Sequence, residues 1–231
     1  MSNPISGSRW WRRWLRRLGV SLVVILLTAL MLDQLFPLPL PDANSGSSVV
    51  LARDGSPLRA FADAEGIWSY PVSMEDVSPL YLEALVGYED RWFWHHPGIN
   101  PIAAVRALGQ MITSGRIVSG GSTLTMQVAR ILEPHSRSVG GKLRQSLRAL
   151  QLEAHLSKRE ILTLYLDNAP FGGTLQGVEA ASWAYLGHSS KQLSHAEAAL
   201  LAVLPQAPSR LRPDREAEAA RAARDKVLDR M

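Results

Sequence analysis

Gly120-Gly121-Ser122-Thr123-Leu124-Thr125-Met126-Gln127-Val128-Ala129-Arg130-Ile131-Leu132 opens on a turn-forming glycine pair and runs directly into a helical period. Leu124, Val128 and Ile131 recur at i, i+4 and i+7, while Thr123, Gln127 and Arg130 share another face. Ser122 can cap this helix, which the pattern carries to about Leu132. Helical spacing continues over 139–156, where Leu143, Leu147, Leu150 and Ala154 form the expected buried stripe and Arg144, Arg148, Gln151 and His155 line another side. It recurs over 158–166, 175–186, 196–204 and 216–231, with Gly and Pro as punctuation between segments. Upstream, two short apolar runs, 49–53 and 58–61, flank the turn-rich Asp54-Gly55-Ser56-Pro57 and predict a small hairpin. The expected fold class is mainly α, with one N-terminal β-hairpin.

A chain of 231 residues holds one ordinary domain plus an appendage. Its 46% hydrophobic and 20% charged residues argue against disorder and against a polytopic membrane protein. With no cysteine there is no disulfide framework, thiol nucleophile or cysteine-bound zinc. The net charge of +4 is concentrated at the start: Arg9, Arg12, Arg13, Arg16 and Arg17 stand in a stretch without acids, and the remainder carries 20 basic against 21 acidic residues. That near-neutral remainder speaks against nucleic-acid binding.

An apolar run over 18–32 follows the arginines and extends to about 23 positions if Trp14, Leu15, Leu35 and Phe36 join it, close to the roughly 20 residues that cross a hydrocarbon core. A cleaved signal peptide shares this pattern, but no A-x-A-like site precedes Pro37. The expected organisation is a cytoplasmic basic segment (1–17), a transmembrane anchor (18–36), a Pro-rich then Gly/Ser-rich linker (37–47) and an exported domain (48–231).

Glu89-Asp90-Arg91-Trp92-Phe93-Trp94-His95-His96-Pro97-Gly98 is the densest cluster of reactive and aromatic residues. A glutamate ending an apolar helix beside aromatics is desolvated, which makes it a stronger base; the other reading is a helix end salt-bridged to Arg91. Gly120-Gly121-Ser122-Thr123 reads either as an anion site at a helix start or as a plain turn and cap. Arg130, Lys142, Arg144, Arg148 and Lys158 supply cations nearby in sequence, or else a solvated face. P-loop, H-E-x-x-H and G-x-S-x-G patterns are absent.

Taken in order, Glu89-Asp90-x-x-Phe93-x-x-His96-x-Gly98, Gly121-Ser122-Thr123-Leu124-Thr125-x-Gln127 and Lys158-x-x-Ile161-Leu162-x-x-Tyr165-Leu166 resemble the family 51 peptidoglycan glycosyltransferases, the N-terminal module of class A penicillin-binding proteins. The likeness covers about residues 48–231. It implies a lysozyme-like helical domain, periplasmic and tethered to the bacterial inner membrane, that polymerises lipid II into β-1,4 glycan with release of undecaprenyl pyrophosphate. It implies Glu89 as the base. It also implies that Asp90, Phe93, His96, Ser122, Thr123, Gln127, Arg130, Lys142, Gln145 and Lys158 line the substrate site. The implied partners are lipid II, the growing strand, the bilayer and other cell-wall synthesis proteins. The exposed-looking aromatics Trp68, Tyr70 and Trp92 to Trp94 are candidates for the membrane interface.

Several positions depart from the family pattern. Gln145 stands where a second glutamate is usual, Met126 where a glutamine is usual, and Thr163 and Asp167 where Glu and Asn are usual. Of the paired arginines in the last motif only Arg224 is present. A pyrophosphate leaves as a stable anion, so the second acid that a glycosidase needs is dispensable here. The family admits Mg2+ or Mn2+, but Asp90 and an amide at 145 offer few ligands, so no metal or cofactor is assigned. No S-x-x-K nucleophile occurs in this stretch, so a transpeptidase is not expected of it. The rival readings are a lytic enzyme using Glu89 as acid, and a lipid II-binding scaffold without turnover.

Overall fold

The computed structural model describes residues 7–41, 47–53, 57–114, 121–136 and 138–231; the linker positions 42–46, the hairpin turn 54–56 and Gly120 lie outside the described residues. Two compact units divide at residue 38. The first is the helix α1 (Gly7–Leu35), within which Trp10–Leu35 is long and apolar enough to cross a membrane. Phe36 continues its hydrogen bonding through an N–H donated to Leu32, and the Trp10 and Trp14 rings, one turn apart, lie 5.8 Å from each other at a tilt of 56°.

The second unit begins with the expected hairpin. Strands β1 (Ser48–Leu51) and β2 (Pro57–Phe61) pair antiparallel with Ser48 opposite Phe61. A second, unforeseen sheet sets β3 (Trp68–Ser69) parallel to β5 (Leu175–Gln176), which pairs antiparallel with β4 (Pro170–Gly172). The helix expected from Leu175 therefore starts later, as α7 (Val178–Leu186). The reason is Gly177: it takes φ +83 and donates its N–H to Ala169, and a Cβ there would lie 2.8 Å from the Asp167 carbonyl.

The remaining helices are α2 (Pro79–Glu89), α3 (Pro101–Ser114), α4 (Leu124–Leu132), α5 (Val139–His155), α6 (Lys158–Asn168), α8 (His195–Val203) and α9 (Ala217–Leu228). Local chemistry sets their ends. Pro79 opens α2; Ser157 with Glu160, and Ser194 with Glu197, form reciprocal capping boxes on α6 and α8; Gly187 closes α7 in the left-handed conformation. The core lies where α8 packs on α2 and α9, and where α4 packs on α5 and α6, with Tyr81, Leu85, Phe93, Leu152, Leu162 and Leu201 fully buried.

Helix α5 is turned the other way from its expected orientation. Leu143, Leu147 and Leu150 are exposed by 62%, 59% and 42%, as is Ala154, while Gln145, Ala149 and Leu152 face inward. Both sets satisfy helical spacing, so periodicity alone cannot choose between them. Packing decides. Gln145 bonds across to α4, and Gly98 (φ +83) lets the α5 backbone come so close that a Cβ would lie 2.7 Å from the Ala149 carbonyl.

Candidate active site

Helix α2 delivers Glu89 at its last turn, half-buried. Two side-chain amides hold its carboxylate: Gln127 Nε2 on α4 donates to Oε2 at 2.8 Å, and Gln206 Nε2, in the 3-10 turn Leu204–Gln206 after α8, donates to Oε1 at 2.5 Å. Burial pushes the Glu89 pKa above the usual carboxylate range; the Gln206 and Gln127 hydrogen bonds pull it back, and the neighbouring Asp90 charge adds to the rise. The salt-bridge reading of this residue is not realised: no arginine bonds Glu89 among the described residues, and Arg91 is exposed.

Asp90 is buried and committed elsewhere. Its two oxygens meet His96 Nε2 at 3.1 and 2.9 Å, and Oδ2 also accepts the Leu124 N–H at 3.0 Å. That N–H belongs to the first residue of α4, so the protein's own carboxylate occupies the positive end of the helix. Thr123 completes the start: its Oγ1 accepts from Met126 N–H at 3.1 Å and donates to the Gly98 carbonyl at 2.5 Å. The Gly-Gly-Ser-Thr segment is thus a cap, with Thr123 in the capping position rather than Ser122.

Ser122 is left for a different partner and accepts a hydrogen bond from Lys142 Nζ. Lys142 also donates to Gln145 Oε1 at 3.1 Å, and Gln145 Nε2 donates to the Met126 carbonyl at 2.5 Å. The Gln145 side chain is buried and uses its amide in both senses, which a carboxylate could not do because it has no hydrogen to give Met126. Phe93 is core, with Lys158 Nζ 4.5 Å above its ring. Lys158 donates to the His96 carbonyl and to Glu153 Oε1, each at 2.6 Å, and Glu153 accepts from Thr125 Oγ1 as well.

The cations therefore divide. Arg144 and Arg148 both pair with Glu133, and Lys158 pairs with Glu153. Among the described residues Lys142 meets only neutral oxygens, and desolvation together with the Arg130 charge lowers its pKa. Arg130, one turn along α4 from Gln127, has no carboxylate partner among the described residues. Glu89, Gln127, Ser122, Arg130 and Lys142 are the residues with chemistry to spare. Asp90, Phe93, His96, Thr123, Gln145 and Lys158 are engaged by the surrounding frame and hold the site from behind. Gln206 is the site residue that none of the sequence motifs contains. The residues present do not fit a divalent ion: Asp90 is saturated, and among the described residues no three acids or imidazoles converge.

A desolvated carboxylate held by two amides, on a small helical domain that also carries Arg130 and Lys142 without carboxylate partners among the described residues, finds counterparts among known proteins. Residues 54–231 match the family model described as Transglycosylase, and the chain belongs to this transglycosylase family. It is 68% identical over 208 residues to penicillin-binding protein 1C of Escherichia coli (strain K12), across 90% of this chain and 27% of that protein. Penicillin-binding protein 1A of Aquifex aeolicus (strain VF5) is 42% identical over 161 residues, across 69% of this chain and 22% of that one. The chain spans about a quarter of the length of these curated relatives. A crystal structure of penicillin-binding protein 1A from Haemophilus influenzae matches with a TM-score of 0.42 at 21% identity, over 81% of this chain and 18% of that one.

Proposed function

We propose that the chain is a membrane-anchored peptidoglycan glycosyltransferase that polymerises lipid II into β-1,4 glycan strands. Glu89 takes the proton from the acceptor sugar's 4-hydroxyl. That oxygen attacks C1 of the donor as the bond from C1 to the undecaprenyl pyrophosphate breaks, with inversion, and the departing oxygens meet Arg130, Lys142 and Ser122. The observation that carries this reading is a desolvated carboxylate held by neutral amides, on a domain with two cations that no carboxylate neutralises among the described residues. Family membership and the likeness to penicillin-binding proteins support the substrate class.

The anchor supports the same reading, because a lipid-linked donor stays in the bilayer. With the arginines cytoplasmic, the domain from residue 48 faces the periplasm. Trp92 and Trp94, exposed by 58% and 45%, and the outward leucines of α5 are suited to the lipid interface.

Labelled lipid II, with the full chain in detergent, tests the proposal. Glu89→Gln is expected to cut polymerisation by about 10²–10⁴-fold at unchanged melting temperature. Because the base must be ionised, the rate should fall as pH drops through a Glu89 pKa that lies above the ordinary carboxylate range. Full activity in Glu89→Gln, or release of fragments from finished glycan without polymer synthesis, would sink it.

A further inference from the structure

The two oxygens of Glu89 are held by amides of different kinds, and we infer that Gln206 is a positioning residue that caps Oε1 in the resting enzyme and is displaced by the acceptor hydroxyl, whereas Gln127 stays on Oε2 throughout. The inference rests on the reading of Glu89 as the base of the transfer reaction. Gln127 lies within α4, a helix tied down by Asp90 at its first N–H, by Thr123 to Gly98 and by Gln145 to Met126. Gln127 is thus half-buried on a fixed stretch of backbone. Gln206 is exposed, stands on one short 3-10 turn 117 positions away in sequence, and Glu89 is the partner its side chain has among the described residues. Its departure exposes only an amide that water can satisfy.

Proton transfer favours that departure. Before transfer Oε1 is a charged acceptor and suits the Gln206 N–H. Once the hydroxyl proton sits on Oε1, that oxygen is neutral and keeps one lone pair, a much poorer acceptor, so the Gln206 hydrogen bond loses most of its strength. Oε1 is the oxygen whose cap is exposed, so it is where the acceptor's O–H arrives. Its electron pair goes to the new C1–O bond, and the C1–pyrophosphate pair leaves with the pyrophosphate. The other groups near the carboxylate are Asp90 beside it in the chain, Tyr81 on α2 and Tyr165 on α6, both phenols being held neutral by full burial. Neither can replace an amide donor by titrating in the working range.

The test compares wild type, Gln206→Met and Gln127→Met, each close in shape and lacking the amide. The acid limb of kcat/KM reports the free enzyme and that of kcat the substrate complex. Gln206→Met is expected to move the kcat/KM limb up by about one pH unit and leave the kcat limb in place; Gln127→Met moves both. A kcat/KM limb unmoved by Gln206→Met, or both limbs moved alike, overturns the inference. Titration of the Glu89 carboxyl carbon by NMR, on the full chain without substrate, separates this outcome from failure of the functional reading. If wild type makes no polymer, the transferase proposal falls, and an unmoved Glu89 titration in Gln206→Met then removes the resting-state contact too. Melting temperatures of all three, expected to agree, exclude misfolding as the cause of a shift.

Discussion

Helices α8 and α5 are both rich in apolar residues, yet they spend them in opposite directions. Helix α8 buries Ala198, Ala199, Leu201, Ala202 and Val203 against α2 and α9, as a helix in water should. Helix α5 buries a glutamine and turns Val139, Leu143, Leu147 and Leu150 outward. The contrast teaches that an apolar stripe does not by itself mark the buried side of a helix. On α5 the inward side is selected by hydrogen bonding instead, by Gln145 to Met126, which is compatible with the proposed use of its outward leucines at a lipid interface.

The comparison can be broken most sharply with one leucine from each helix. Leu201→Ala on α8 should cost about 3 kcal/mol in denaturant unfolding, and Leu147→Ala on α5 no more than about 0.5 kcal/mol, while weakening association with lipid vesicles. Equal costs would mean that α5 faces inward after all. A smaller effect is expected from Gln145→Glu. The new carboxylate keeps Lys142 but sets an acceptor against the Met126 carbonyl, so stability at pH 8 should fall by about 1–3 kcal/mol, and by less at pH 5, where protonation restores a donor. If Gln145→Glu is as stable as wild type at both pH values, the amide is not what orients α5.

The smallest effect sharpens the picture at α6, which touches α4, α5 and α7. Asp167 accepts the Val72 N–H at 2.8 Å, and burial pushes its pKa up to about 6. The folded protein therefore holds this proton more tightly than the unfolded chain does. Stability declines as pH rises from the ordinary Asp value to about 6, and the full penalty remains above that. Asp167→Asn, which restores the residue usual in the family, keeps an acceptor for Val72 and removes the charge. It should raise stability by about 1 kcal/mol at pH 7.5, discounted for partial exposure, and by nothing near pH 4. Melts at the two pH values check this; a gain of equal size at both would show that the charge is not the cause.

Much of this was legible in the residues. The helices over 124–132 and 158–166 followed from spacing, and the hairpin from its turn chemistry. The orientation of α5 was not legible, because two faces of that helix carry the same periodicity and the choice depends on a tertiary hydrogen bond. The sheet joining Trp68 to Leu175 was hidden because its strands are two or three residues long and far apart in sequence. Within the site, Glu89 and Gln127 were recognisable from motif order, whereas Gln206 meets Glu89 only through the packing of α8 on α2. Asp90, His96 and Thr123 were expected to line a substrate site; in the structure all three are buried, with Asp90 bonded to His96 and Thr123 to Gly98 and Met126. Residue type gave their hydrogen-bonding capacity, and only the fold shows which partners use it.

Gly98 has a meaning beyond its own turn. Its carbonyl holds Thr123 at the start of α4, and its bare Cα rests against the α5 backbone at Ala149. The segment from Glu89 to Gly98 thus touches, at one residue, both the helix that carries Gln127 and Arg130 and the helix that carries Lys142. A single hydrogen atom serves as the feeler gauge that sets the gap between acid and cations, and a methyl group in its place would be a shim, widening that gap without altering any residue that faces it.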